Sequence, residues 1–192
     1  MRAFIAITLP DDIRTELARG QAALREALEA EPGGDAGVRW AAPESIHLTI
    51  KFLGEITAEK SRELVEALDF PFPRFGAEVR GLGFFPDSKR PRVLWAGVVA
   101  GLELIELARK VEAVTQGLGF PAEDRSFSPH LTLARFRDAR PQPALQIGAS
   151  DLGARSLGRF QVSEFCLFES RLAAGKPAEH RIIACLPRHQ NL

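Results

Sequence analysis

The tripeptide His-Leu-Thr occurs twice in this chain of 192 residues, at positions 47–49 and 130–132. Each copy lies in a run in which apolar and polar residues alternate, SIHLTIKFL and SPHLTLARF, as in a β-strand with one buried face. Only four residues are histidine and few are threonine, so composition alone rarely produces such a repeat. The repeat predicts two related halves, each built around one motif strand.

The segments before the two motifs extend this repeat. A short apolar strand over residues 4–9 precedes a predicted helix, and a second helix is predicted over 101–117, before the second motif. The apolar residues at helical spacing in the first helix are Ile13, Leu17, Leu24 and Leu28. Strand, helix and motif strand thus recur in the same order, and we expect an internal duplication with a pseudo-two-fold axis.

The other segments are predicted from turn residues and apolar patterns. Thr57 is expected to cap a helix after the first motif. We expect strands over 74–86, 90–99, 158–172 and 179–187, turns over 31–37, 86–91 and 173–178, and a Pro/Gly-rich loop over 138–158. Short strands alternating with helices indicate an α+β or α/β layered fold.

Alternation predicts which motif residues share a face of their strand. Ile46, Leu48, Ile50 and Phe52 should face the core, and His47, Thr49 and Lys51 the opposite side. His130 and Thr132 share a face by the same rule, so each motif places an imidazole beside a hydroxyl. Lys51 is interpreted either as lining a site or as extending along the sheet edge.

Two imidazole–hydroxyl pairs on opposing halves suit acid–base chemistry at phosphorus. Imidazole titrates near neutrality, so one ring can accept a proton while the other donates one. The hydroxyls can hydrogen-bond non-bridging phosphate oxygens. His-x-Thr is a poor metal motif, because threonine is a weak ligand, and we expect neither a metal nor a cofactor. The strained ring of a 2′,3′-cyclic phosphate is the substrate that such metal-free hydrolysis favours.

Composition limits the partners and the compartment. Lys and Arg number 25, as do Asp and Glu, so the net charge is zero and the chain is not a globally basic nucleic-acid-binding protein. The densest basic run is SKRPR, residues 88–92. Cys166 and Cys185 match neither a zinc spacing nor a disulfide framework, and we expect buried thiols. With no signal peptide or apolar span, we predict a reduced cytoplasmic protein without membrane contact.

The sequence around the motifs resembles the 2H phosphoesterase superfamily, which has two HxTx motifs about 80 residues apart. The segments MRAFIAITLPDDI, RWAAPESIHLTIKFLGEI and FSPHLTLARF resemble its RNA 2′,3′-cyclic phosphodiesterase group, also called 2′-5′ RNA ligases. The resemblance covers essentially the whole chain and implies one domain over 1–192, an α+β fold with two lobes and a central cleft. It also implies a monomer that hydrolyses RNA 2′,3′-cyclic phosphate ends to 2′-phosphates and weakly ligates RNA ends such as tRNA halves.

The same resemblance implies roles for individual residues. His47 is expected to be the proton donor to the departing O3′ and His130 the acceptor from water, although the pseudo-symmetry permits the reverse assignment. Thr49 and Thr132 are expected to bind phosphate oxygens. Arg135 matches an arginine common in the family, but alternation turns it away from His130, so a substrate role requires a bulge or the strand's end.

Weaker candidates lie around the motifs. Phe84 or Phe85, beside a glycine-rich turn, is a candidate for stacking on a nucleobase, with core packing as the alternative. Arg90 and Arg92 are candidates for contacts to the RNA backbone. His180 and His189 lack a threonine two residues later, and we interpret them as strand surface and chain tail.

Three other functions compete with this interpretation. The first is hydrolysis of a small-molecule cyclic phosphate such as ADP-ribose cyclic phosphate, which needs no RNA-binding track. The second is a 3′-5′ exonuclease, but members of that type usually carry serine where this chain has threonine twice. The third is an RNA-binding module without turnover, and the intact histidines and threonines argue against it.

Overall fold

The computed structural model describes residues 1–30, 37–153, 155–171 and 179–188. Within these ranges the chain forms nine strands and four α-helices. The strands are β1 (Arg2–Ile7), β2 (Val38–Trp40), β3 (Leu48–Glu55), β4 (Phe75–Phe85), β5 (Val93–Ala100), β6 (His130–Phe136), β7 (Ser156–Val162), β8 (Phe165–Arg171) and β9 (Glu179–Leu186). The helices are α1 (Asp11–Glu29), α2 (Ala58–Ala67), α3 (Leu102–Gly117) and α4 (Pro143–Gly153), and a 3-10 turn spans Pro43–Ser45.

Some predictions fall outside these ranges. The predicted turn at 31–37 is described only at Gly37, and the turn at 173–178 and His189 are not described at all. No helix in the part of the chain that the structure describes combines the length and apolar character needed to cross a membrane.

The strands form one antiparallel sheet in the order β7-β4-β5-β6-β3-β1-β8-β9, and β2 pairs with β6. The order divides into two matching halves, β3-β1-β8-β9 and β6-β5-β4-β7, which meet where the motif strands are neighbours. In each half the motif strand lies beside the strand that precedes the helix, giving β1-α1-β3 and β5-α3-β6. The predicted α+β fold with two duplicated lobes is confirmed.

Local sequence explains where the helices form. The predicted apolar residues of α1 are all buried, and α2 begins after Thr57, whose Oγ1 accepts a hydrogen bond from the backbone N–H of Lys60 at 3.1 Å. Such a cap contributes about 1 kcal/mol. α3 buries Leu104, Leu107 and Val111 along one face. Each fully buried aliphatic side chain contributes roughly 1.5–3 kcal/mol.

Each of the two long helices, α1 and α3, packs against the half of the sheet that does not contain the strand before it in the chain. α1 follows β1 but packs against α4 and β7. α3 precedes β6 but packs against β3. The halves are therefore interlocked: α3 contacts the motif strand β3, and α1 reaches the motif strand β6 through Gln21, whose Nε2 donates to the carbonyl of Leu133.

The predicted loop over 138–158 is wrong for most of its length, because it contains α4 and the start of β7. Pro143 opens the helix, where its missing N–H costs nothing. Leu145 and Ala149 are buried, and α4 packs on α1. Gly148 favours a loop when viewed in isolation, but a Cβ there would lie 2.8 Å from Cδ2 of Leu24, so this glycine permits close helix packing.

The single strand predicted over 158–172 is two strands. β7 pairs with β4 at one end of the sheet, whereas β8 pairs with β1 and β9 in the other half. The break falls between Val162 and Phe165, which are both buried. Burial alternates along β7, whereas Phe165, Cys166, Leu167 and Phe168 at the start of β8 are all buried, and the two strands pair with distant strands at opposite ends of the sheet order. The predicted β8–β9 pair is confirmed.

Cys166 and Cys185 form a disulfide, so the prediction of two buried thiols is wrong. The two residues stand opposite each other in the β8–β9 pair, a proximity that their spacing in the sequence does not reveal. The bond lies in a small apolar cluster with Phe4, Ala6 and Phe168. The argument from free thiols for a reducing compartment no longer holds, and cytoplasmic location stays a prediction.

Candidate active site

The two motif strands meet at one residue pair, Leu48 and Leu131, each of which lies between the histidine and the threonine of its motif. Both leucines are fully buried, while the flanking histidines and threonines are partly exposed. An antiparallel register through this pair sets His47 across from Thr132 and Thr49 across from His130. The four predicted residues thus share one side of the sheet, called the motif face below.

The two histidines are held in the same way. Nδ1 of His47 lies 2.8 Å from the carbonyl oxygen of Ser45, and Nδ1 of His130 lies 2.7 Å from that of Ser128. Because a carbonyl only accepts, each Nδ1 carries the proton and donates it. When such a ring is neutral, its Nε2 has a lone pair that can accept a proton.

Both motif strands lose their alternation at the third residue after the histidine. The β1–β3 pairing skips Ile50, and the β5–β6 pairing skips Leu133. Each is a β-bulge, after which the side chains change face. As a result Ile50 and Lys51 are both buried, and so are Leu133 and Ala134.

The bulges bring Phe52 and Arg135 to the motif face. Both are exposed, Phe52 to 62%, so the prediction that Phe52 faces the core is wrong. The bulge that a substrate role of Arg135 requires is present at Leu133. Aligning HLTIKF with HLTLAR shows that Phe52 and Arg135 occupy equivalent positions. Only the bulges place them on the same face as the histidines. Arg39 pairs with Arg135 between β2 and β6 and adds a second cation that sequence analysis missed.

Lys51 neither lines the site nor extends along the sheet edge, and both interpretations are corrected. The bulge turns it inward, where it is 2% exposed, and its Nζ donates to Oε2 of Glu112 at 2.6 Å and to the carbonyl of Pro121 at 2.9 Å. Burial acts to raise the pKa of Glu112, but hydrogen bonds from Lys51, Gln116 and the backbone N–H of Glu123 lower it overall. The ion pair joins β3 to α3 and to the segment that leads to His130.

The partners of this ion pair should contribute unequally to stability. Glu112→Ala leaves a buried ammonium group without its carboxylate and should cost roughly 3 kcal/mol, whereas Lys51→Met leaves a carboxylate that water can reach and should cost about 1 kcal/mol or less. Urea unfolding at constant m-value measures both. Equal losses for the two variants would contradict the asymmetry.

His47 lies in an aromatic enclosure. Its ring stacks on Phe4 at 4.7 Å between centroids, with Phe168 at 5.9 Å, and His180 meets it edge-on at 5.0 Å. Burial, and then the charge of His180, lower the pKa of His47 from 6.5 to about 4, against the hydrogen bond to Ser45, which raises it. The interpretation of His180 as strand surface is wrong: it is half-buried at the site, and burial lowers its pKa. The approach of His180 to His47 depends on where β9 lies in the sheet, which the spacing of residues in the sequence does not reveal.

The titration of His47 should show this enclosure directly. We expect its imidazole to titrate near pH 4, and His180→Phe to raise the midpoint, because the ring volume stays while the competing charge is removed. As the pH falls, His47 takes up a proton in the unfolded chain before it does so in the folded protein. The contribution of neutral His47 to stability is therefore lost as the pH falls from 6.5 to about 4. NMR of the histidine Cε1–Hε1 pairs measures the midpoints. A midpoint near 6.5 would show a solvated ring.

His130 has a more open environment. Phe85 meets its ring edge-on at 5.0 Å and packs beside Trp95 at 5.2 Å. Phe84 instead packs against the core and contacts Phe136 at 6.3 Å. Of the two phenylalanines proposed for stacking, only Phe85 lies beside a motif histidine.

The basic turn lies after Phe85. Oδ1 of Asp87 accepts hydrogen bonds from the backbone N–H groups of Lys89 and Arg90, and Arg90 is exposed. Arg92 donates from Nη1 to the carbonyl of Arg137 at 2.7 Å, which ties it to the end of β6. Both predicted cations therefore belong to the half of the sheet that carries His130.

One group of residues in the described ranges has metal-ligand spacing, namely Glu164, Cys166 and Cys185. The two sulfurs form the disulfide, so neither is a thiolate that could bind a metal. Two cavities, of about 460 and 250 Å³, lie elsewhere, and neither is lined by a motif residue.

A duplicated α+β sheet with two histidine–threonine pairs on one face defines a class of protein suited to acid–base chemistry between its lobes. The family model described as LigT like Phosphoesterase matches residues 7–95 and 99–178. The chain therefore belongs to the LigT-like phosphoesterase family of the 2H superfamily.

Individual relatives agree with this family. An RNA 2′,3′-cyclic phosphodiesterase of Aeropyrum pernix is 40% identical over 136 residues, covering 70% of this chain and 77% of the relative. One of Archaeoglobus fulgidus is 33% identical over 178 residues, covering 92% and 95%. The crystal structure of E. coli LigT complexed with 3′-AMP has a TM-score of 0.73 and 29% identity, covering 96% of this chain and 95% of that one.

Proposed function

We propose that the protein hydrolyses RNA 2′,3′-cyclic phosphate ends to 2′-phosphates without a metal, as a cytoplasmic monomer with one domain. The observation that carries the proposal is the cross-strand arrangement of two threonines and two histidines, each histidine with its Nδ1 donating to a carbonyl. The naming of relatives in Aeropyrum pernix and Archaeoglobus fulgidus as RNA 2′,3′-cyclic phosphodiesterases supports the substrate class.

The mechanism assigns one role to each group. Nε2 of His130 takes a proton from water as the water oxygen forms a bond to phosphorus. The bond between phosphorus and O3′ breaks, and His47 donates a proton to O3′, which leaves a 2′-phosphate and a neutral hydroxyl. Thr49 and Thr132 donate hydrogen bonds to the non-bridging oxygens, and Arg135 stabilises the added negative charge.

The role of His47 as an acid requires that substrate binding change its protonation. In the free protein the pKa of about 4 keeps this ring neutral at pH 7. An anionic phosphodiester placed against Nε2 favours the charged ring and raises its pKa. Once protonated, a ring enclosed by Phe4 and Phe168 is a strong acid, which favours proton transfer to a poor leaving group.

Contacts to RNA should be limited to its end. Phe85 meets the ring of His130, and Phe52 lies 6.1 Å from Phe4, which stacks on His47, so a base can stack beside either phenylalanine. Arg90 and Arg92 are exposed in the segment between β4 and β5, which follows Phe85, and can contact the adjacent backbone phosphate. A net charge of zero fits such a short contact better than a long binding track.

The same site can use a hydroxyl of a second RNA in place of water as the nucleophile. Attack by a 5′-hydroxyl of a second RNA on the cyclic phosphate, with the same two proton transfers, gives a 2′-5′ phosphodiester. We therefore extend the proposal to weak ligation of RNA ends such as tRNA halves. Hydrolysis of a small-molecule cyclic phosphate is the second candidate, and charge reversal at Lys89, Arg90 and Arg92 separates it, because only RNA should lose affinity.

An end-product assay tests the proposal. With EDTA present, the protein should open an oligonucleotide 2′,3′-cyclic phosphate to a 2′-phosphate at an unchanged rate, because the two histidines supply both protons. Chromatography against 2′- and 3′-phosphate standards identifies the product. Binding without any product would favour an RNA-binding module, and loss of activity on chelation would contradict the metal-free mechanism.

A further inference from the structure

Each of the two bulges interrupts the hydrogen bonds between its strands, so other groups must satisfy and hold the backbone there. Ile50 and Leu133 occupy the same place in their motifs, and the side chains that they redirect, Phe52 and Arg135, are both on the motif face. The position of each bulge therefore decides where a functional side chain points.

The bulge at Leu133 is bound by a buried glutamine. Gln21 of α1 is 7% exposed, and its Nε2 donates to the carbonyls of Leu133 and Ala41, each at 2.9 Å. The Leu133 carbonyl also accepts the backbone N–H of Ala41 at 2.8 Å. One amide group thus ties the extra residue of β6 to the segment that follows β2.

The bulge at Ile50 is bound by the ion pair of Lys51 with Glu112 of α3. Glu112 lies eight residues after the buried Leu104, just as Gln21 lies eight residues after the buried Ile13. The two helices therefore use equivalent positions, each acting on the motif strand of the other half. The chemistry differs, since one contact is an amide to a carbonyl and the other a carboxylate to an ammonium.

We propose that Gln21 is a positioning residue that aims Arg135 at the substrate phosphate, and that the Lys51–Glu112 pair does the same for Phe52 and the base. This inference rests on the proposed function for the ligand, while the geometry of the bulges does not depend on it. Each contact then acts on a different part of the substrate without touching it.

The central test is the variant Gln21→Leu, measured alone and together with Arg135→Ala. Leucine keeps most of the buried volume, and the Leu133 carbonyl keeps its bond from Ala41, so the fold should persist with a Tm lower by a few degrees. Affinity for adenosine 2′-phosphate should fall roughly tenfold in the native background and less than about twofold when Arg135 is absent. A purely structural residue would weaken both backgrounds equally, which would overturn the proposal.

Lys51→Met is the matched variant in the other half. It should weaken adenosine 2′-phosphate about threefold, and this effect should vanish in a Phe52→Ala background but persist in an Arg135→Ala background. For 1-O-methylribose 2-phosphate, which lacks a base, Gln21→Leu should still weaken binding and Lys51→Met should not. The same loss on both probes for both variants would show that the two contacts are not separate.

A crystal structure of Gln21→Leu separates failure of this inference from failure of the proposed function. Loss or displacement of the bulge at Leu133, with Arg135 turned from the motif face, supports the inference even if the native protein opens no cyclic phosphate. A retained bulge with Arg135 in place overturns it, whatever the activity.

Discussion

Alanine at His47 or at His130 should each slow the opening of an RNA 2′,3′-cyclic phosphate by about 10²–10⁴-fold, the usual contribution of one general acid or base. Each ring has Nδ1 fixed by a carbonyl, so its Nε2 is the nitrogen that faces the proton transfer, and alanine removes that nitrogen. Single-turnover rates at saturating substrate measure the loss without interference from product release. A cooperative thermal transition should persist in both variants, because each ring is partly exposed.

A substrate with sulfur in place of O3′ separates the two roles. A thiolate leaves without a proton, since thiols have a pKa near 8.5, far below that of an alcohol. If His47 is the donor, the loss in His47→Ala should shrink to about tenfold or less on this substrate, whereas His130→Ala should keep its full loss. The opposite pattern would exchange the roles, and a rate near that of the native protein for either variant on the natural substrate would remove that histidine from the mechanism.

Arg135→Ala should have the next largest effect, a loss of about 10²–10³-fold in kcat/KM, because it removes a cation where negative charge develops. Arg135→Lys should recover only part of the rate, since an ammonium group cannot make the two parallel hydrogen bonds of a guanidinium. Steady-state kinetics on the cyclic phosphate, together with the affinity for adenosine 2′-phosphate, measure both.

A charge-matched control distinguishes this role from a general effect of charge. Arg62 lies on α2 and is 71% exposed in an ion pair with Glu59, so Arg62→Ala removes one cation far from the motif face. It should leave kcat/KM within about twofold, because exposed pairs contribute little. Equal losses for Arg62→Ala and Arg135→Ala would contradict a local contact between Arg135 and phosphate.

Features set by neighbouring residues were predictable. The stripe of α1, the Thr57 cap of α2 and the β4–β5 hairpin follow from spacing and turn residues within a few positions. The recurrence of His-Leu-Thr indicated the duplication and the four central polar residues of the site. The helix α4 was not predicted, because Gly148 favours a loop in its local sequence. Its role is the close contact with Leu24 of α1, which only the packed structure shows.

Features set by pairing between distant strands were not predictable. The disulfide, the break between β7 and β8, and the approach of His180 to His47 all depend on which strands become neighbours. Two cysteines that lie far apart in the sequence are equally compatible with free thiols and with a disulfide. Sheet order brings β9 to the site through β8 and β1, and no sequence period encodes that order.

Strand alternation and the repeat of the motif predicted that His47 shares a face with Thr49, and His130 with Thr132. The pairing of Leu48 with Leu131 puts both pairs on one side of the sheet. Only the tertiary structure decided which residues join them. Bulges at Ile50 and Leu133 turn Lys51 into the core and bring Phe52 and Arg135 to the motif face. The physical reason is that a bulge exists only between two paired strands, and here it is held by a helix from the opposite half.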